Sequence, residues 1–140
     1  MYGMNTRKNV DSYRQAGMLS EVQVADPHRL VQMLFEGALE RIAVAKGAMK
    51  AGNIAYKGER IGKAIDIIDS LRTMLDDKHN PELAERLAAL YSYMLRRLTE
   101  ANLHNDPERL DEVSKLLREI KAGWDEIPPE HRNASAARAS

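Results

Sequence analysis

Three Asx-Pro pairs, Asp26-Pro27, Asn80-Pro81 and Asp106-Pro107, constrain this chain more than any other feature. An Asp or Asn side chain accepts from the first free backbone N–H groups of a helix. A proline behind it gives up no needed donor and presets φ. Each pair is followed at once by apolar residues at helical spacing, so each reads as a helix start. The first helix is expected from Pro27 to about Ala51, with Gly52 as its stop and Leu30, Val31, Leu34, Ala38, Ile42, Ala45 and Met49 as its stripe. The second begins between Ile54 and Arg60 and ends near Asp76, on the stripe Ile61, Ala64, Ile65, Ile68, Leu71 and Leu75. Gly58 and Gly62 weaken its opening turns and blur that boundary. The third runs from Pro81 to about Leu103. The fourth runs from Pro107 to about Ile127, ended by Pro128-Pro129. Its Leu110, Val113, Leu117, Ile120 and Trp124 alternate three and four apart, the seam of a bundle.

Helices of roughly 20–25 residues span about 30–37 Å. Short links between them favour antiparallel neighbours. The expected fold is all-α: an antiparallel up-down four-helix bundle over residues 25–127. Two segments lie outside it. Residues 1–24 contain Tyr13, Met18 and Leu19, too apolar for a solvated tail, and are expected to pack on the bundle, in part as a short helix. Residues 128–140 are small and polar and are expected to be disordered.

Composition narrows the function. Lys plus Arg and Asp plus Glu are both 21, so no global basic field argues for nucleic acid. There is no Cys, hence no disulfide framework or thiolate chemistry. Residues 1–20 hold no apolar run of signal-peptide length, and no stretch is long enough to insert into a membrane. A cytoplasmic protein is expected. Bundles often hold metal, but the di-iron pattern needs Glu-x-x-His. The residues three before His28, His79, His104 and His131 are Ala25, Asp76, Ala101 and Pro128. The histidines are expected as solvated loop or cap residues. No metal, no cofactor and no enzymatic activity are expected.

What stands out is excess apolar width. Leu90 to Asn102 carries a stripe of Leu90, Met94, Leu98 and Ala101, widened by Tyr91 and Leu95 and flanked by Tyr93 and Arg97. Met33, Gly37 and Val44 on the first helix, and Tyr56, Ile67 and Met74 on the second, lie off the main stripes. A wide stripe can simply meet two neighbouring helices. It can also form a groove for an amphipathic helix, which Met suits well. On the groove reading, Met33, Gly37, Val44, Tyr56, Ile67, Met74, Tyr91, Tyr93 and Arg97 are the candidate contacts. A charge at Ile67 or Met74 should then weaken binding and spare the fold, whereas changes at Leu117 or Trp124 should damage it. Leu90, Met94 and Leu98 are read as core. Arg41, Arg72 and Arg97 either snorkel to solvent or pair with carboxylates.

Leu90 to Asn102 resembles the third-helix signature of the flagellin-specific secretion chaperones, the FliS family. Ala25 to Ala38 resembles that family's opening helix, with Asp26 where Ser or Thr is common and Phe35 where Tyr is common. Ile61 to Arg72 resembles its second helix, and Glu112 to Trp124 its last, with the late Trp. The resemblance covers roughly residues 13–127. It implies a cytoplasmic chaperone that binds the disordered C-terminal segment of flagellin and prevents premature polymerisation. Such a chaperone delivers flagellin to the flagellar type III export gate, whose cytoplasmic domain is a second implied partner. The resemblance also implies that the N-terminal segment lies over part of the binding surface, which suits Tyr13, Met18 and Leu19. The alternative is a structural bundle that self-associates through the same faces, and a homodimer fits either reading.

Overall fold

A computed structural model describes residues 26–131; Tyr13, Met18 and Leu19 lie outside the described residues, as do residues 132–140. The helices are α1 (Pro27–Lys50), α2 (Ile54–Thr73), α3 (Pro81–His104) and α4 (Pro107–Asp125). All three Asx-Pro pairs act as read. Asp26 accepts from Arg29 N–H, Asn80 from Leu83 N–H and Asp106 from Glu108 N–H. Asn53, preceding α2, accepts from Tyr56 N–H at 3.2 Å. The described part of the expected tail includes a 3-10 turn, Pro129–His131.

Two corners share residues between helices. After α1, Gly52 takes φ +78° and donates to Met49 O at 3.2 Å, while Asn53 N–H donates to Ala48 O at 2.9 Å. Asn53 thus closes α1 and opens α2. After α3, Asn105 sits in the left-handed region at φ 52°, and Asp106 N–H reaches back to Ala101 O before its side chain caps α4.

Each helix packs on its neighbours in the chain, and α1 against α4 closes the ring. Cross-helix bonds set the directions. His28, at the start of α1, meets Trp124, at the end of α4, and Lys46 near the end of α1 meets Asp111 near the start of α4. Lys57 of early α2 donates to Asn102 O and Asn105 Oδ1 at the end of α3, whereas Arg72 of late α2 donates to Ser92. The bundle is antiparallel throughout. Lys57 is itself buried, its ammonium placed where the carbonyls of the α3 C-terminus gather partial negative charge.

The core is aliphatic and centred on Leu34, Phe35, Ala38 and Ile42 of α1, Ile61, Ile67 and Ile68 of α2, Met94 and Leu98 of α3, and Leu110, Val113 and Leu117 of α4. Ala38, Ala45 and Ala64 are fully buried, and such small residues suit the close approach of α1 and α2, the most extensive of the seams.

Several expectations need correction. Tyr91 is 4 % exposed and Leu90 36 %, the reverse of the expected assignment. Ala84, Leu87, Tyr91, Met94, Leu98 and Ala101 alternate three and four apart, and this seam passes through Tyr91 rather than Leu90. Met33 and Ile67, read as surface, are buried. Gly37 faces the α1–α2 interface: a Cβ there would stand 3.4 Å from Ile67 Cδ1. His28 is not solvated but 1 % exposed.

Since Ile67 belongs to the core, Ile67→Asp should cost about 3 kcal/mol or more of stability rather than act on binding alone. Urea denaturation followed by circular dichroism checks this, and an unchanged midpoint would return Ile67 to the surface.

Candidate functional site: an apolar cleft at one end of the bundle

Antiparallel order brings the starts of α1 and α3 together with the ends of α2 and α4. At that end the helices do not fill the space between them. An apolar cleft of about 310 Å³ remains. Val31 and Phe35 line it from α1, Leu71 and Met74 from the end of α2, and Leu83, Leu87 and Tyr91 from α3. Glu119, Ile120, Gly123, Trp124 and, just past α4, Ile127 complete it. Only Glu119 among these carries a charge. The volume and apolar lining are those of a site for hydrophobic side chains.

The wall at Trp124 is held by a reciprocal lock. The indole Nε1–H donates to His28 O at 3.0 Å, and His28 Nε2 lies 2.8 Å from Trp124 O. A carbonyl only accepts, so Nε2 must carry the proton. The two rings stack 4.8 Å apart and 8° from parallel. Beside this lock, Gln32 of α1 donates to Asp125 Oδ1 at 2.7 Å, and Lys121 holds Asp125 Oδ2 at 2.6 Å. Burial pushes the Tyr91 hydroxyl, on the opposite wall, well above the ordinary tyrosine value.

The structure brings together two of the candidate contacts: Met74, half-buried, and Tyr91, buried, both line the cleft. Gly37 and Ile67 are taken up by helix packing, and Met33 is buried away from the cleft. Val44 is half-buried away from the cleft. Tyr56 is exposed at the opposite end, with Arg60 over its ring. Tyr93 and Arg97 belong to a polar seam between α3 and α4: both bind Glu112, at 2.5 Å and 2.8 Å, and Arg97 also pairs with Glu100. Arg96 and Arg97 lie over the Tyr93 ring at 5.7 and 5.8 Å. Arg72 pairs with Asp69 and Arg41 with Glu40, so the placed arginines find carboxylates.

Most of the cleft escaped sequence reasoning because its residues lie on core stripes. The available signal was topological. In an up-down bundle the first turns of odd helices meet the last turns of even ones, and apolar residues there have fewer partners than those at mid-height. Among the described residues no helix is long and apolar enough to cross a membrane, and no group of three or more potential ligands is placed to hold a metal ion.

A profile of the family described as "Flagellar protein FliS" matches residues 9–131. The chain belongs to this family. It is 51 % identical over 127 residues to the flagellar secretion chaperone FliSB of Pseudomonas aeruginosa, covering 91 % of this chain and 98 % of that one. It is 47 % identical over 131 residues to the flagellar secretion chaperone FliS of Vibrio cholerae, covering 94 % and 96 %. To the flagellar secretion chaperone FliS of Salmonella typhimurium it is 41 % identical over 127 residues, covering 90 % and 94 %.

The polar seam yields a pH test. Hydrogen bonds from Tyr93 and Arg97 hold the Glu112 carboxyl below its ordinary value. A lowered value stabilises the fold above the unfolded-state pKa and is lost as pH falls through the folded one. Glu112→Gln should therefore melt below the parent protein at neutral pH, with the gap closing as the pH falls through the ordinary glutamate range and below it. Thermal melts across that range check it, and a constant gap would remove Glu112 as the cause.

Proposed function

We propose that the chain is a cytoplasmic flagellar export chaperone, and that its cleft receives apolar side chains of the disordered C-terminal segment of flagellin. By binding that segment the chaperone prevents premature polymerisation and delivers its cargo to the flagellar type III apparatus. The observation that carries the reading is the unfilled apolar cleft in a chain of this family. A segment that zips into a filament core presents an amphipathic face, and a cleft of this kind covers part of that face while the segment becomes helical. Ordering the segment costs about 2–5 kcal/mol, which burial of roughly 1,500 Å² of mostly apolar surface offsets with moderate affinity left over. Moderate affinity suits release at the export gate, the second partner. The cleft opens at the end of the bundle from which the chain leads back from Asp26. On this reading residues 1–24, with Tyr13, Met18 and Leu19, cover it before cargo arrives. On this reading neither catalysis nor a cofactor takes part.

Trp124 is the sole tryptophan of the chain and lines the cleft. Titration with a flagellin C-terminal peptide should change its fluorescence and saturate at 1:1. Absence of binding at about 50 µM peptide would reject the proposal.

Gly123 supplies the sharper test. It lines the cleft, and a Cβ there would meet no neighbouring atom within 4 Å. Gly123→Leu should fill the open space and weaken peptide binding at least tenfold, while leaving the melting temperature unchanged or raised, because Leu favours helix. Met74→Asp should likewise weaken binding. Full binding by both variants, with intact fold, would place the site elsewhere.

A further inference from the structure

The cleft has one charged side chain in its lining, Glu119, and that carboxylate is exposed. Among the described residues Glu119 has no cation and no hydrogen-bond donor. Its acidic neighbours on the adjoining α1–α4 face differ: Glu36 pairs with Arg29 and Lys121, and Asp125 with Lys121 and Gln32. The cleft volume, about 310 Å³, is roughly twice that of a ~150 Å³ cavity known to hold a benzene ring. It therefore admits two aliphatic side chains, which a helix presents at i and i+3 or i+4.

Building on the function proposed above, we propose that the segment seated in the cleft is an amphipathic helix with two apolar anchors and a Lys or Arg one turn from them, and that Glu119 receives this cation. The apolar anchors supply affinity and Glu119 supplies register. Without the ion pair, a helix with several apolar turns could slide by one turn and bury an equivalent pair. With it, the slid position leaves a carboxylate unpaired against an apolar wall, where charge is less well screened than in open water. A second copy of this chain is the competing occupant.

The test is calorimetry on the full chain with a synthetic peptide of the C-terminal segment of flagellin from the same genome, at low and physiological salt. Glu119→Gln should weaken binding about threefold and flatten its salt dependence, and Glu119→Lys about tenfold. Among peptides in which single Lys or Arg residues are changed to Glu, one should bind E119K more tightly than it binds the parent chaperone. Equal affinity and salt dependence for parent, E119Q and E119K, with circular dichroism unchanged, would overturn the inference and leave the cleft as an apolar site only. If the parent binds no peptide, the proposed function fails and the inference falls with it. Self-association of the parent that E119K abolishes would assign the cleft to a second copy and equally overturn it.

Discussion

The reciprocal lock between His28 and Trp124 closes the bundle. Three of the four seams join helices that follow one another in the chain, so a short link holds each pair near. The α1–α4 seam has no such help. Its ends lie 96 residues apart at the lock, and loop-closure entropy opposes their meeting. The two hydrogen bonds and the stacked rings fix this seam at the cleft end, and Lys46–Asp111 spans it near the other. The same lock sets the angle of the indole that forms one wall of the cleft. The lock therefore serves both the closure of this seam and the shape of the site.

Much of this was legible in the sequence, because Asx-Pro pairs act locally. A cap needs only its own side chain and the next few amide groups, so Asp26, Asn80 and Asp106 could be read without knowing the fold. Asn53 performs the same task without a proline, and the glycines at 58 and 62 hid it. Burial was harder to read. Leu90 and Tyr91 are adjacent, both apolar, and separated by 100° of helix; the long alternation from Ala84 to Ala101 decides between them, and a shorter window misleads. His28 was misread because a histidine near a helix start is usually wet. Only its meeting with Trp124 makes it a core residue, and that depends on the closure of the ring.

The off-stripe residues show the same limit. Off-stripe apolar residues such as Ile67 look superfluous on one helix considered alone but are consumed when a second helix packs beside them. Gly37, where α1 lies against Ile67, belongs with them. Tyr93 and Arg97 are consumed differently, by Glu112. The α1–α2 seam is thus closed by small apolar side chains and the α3–α4 seam partly by charge. Excess apolar width in a sequence counts the capacity for contact. It does not say whether the contact is with the chain itself or with another molecule.

The shared corners also govern how such a chain can change length. Asn53 is the last hydrogen-bonded residue of one helix end and the cap of the next, and Asp106 repeats the arrangement. An inserted residue at either corner would separate two functions now held by one residue and break both caps. In the link from Met74 to Asn80 the two caps fall on different residues, so a change of length between them need not break either. This link lies at the cleft end, beside Met74 itself. Drift in loop length is thereby steered toward the mouth of the binding site, where it can alter what the cleft admits without touching the geometry that builds it.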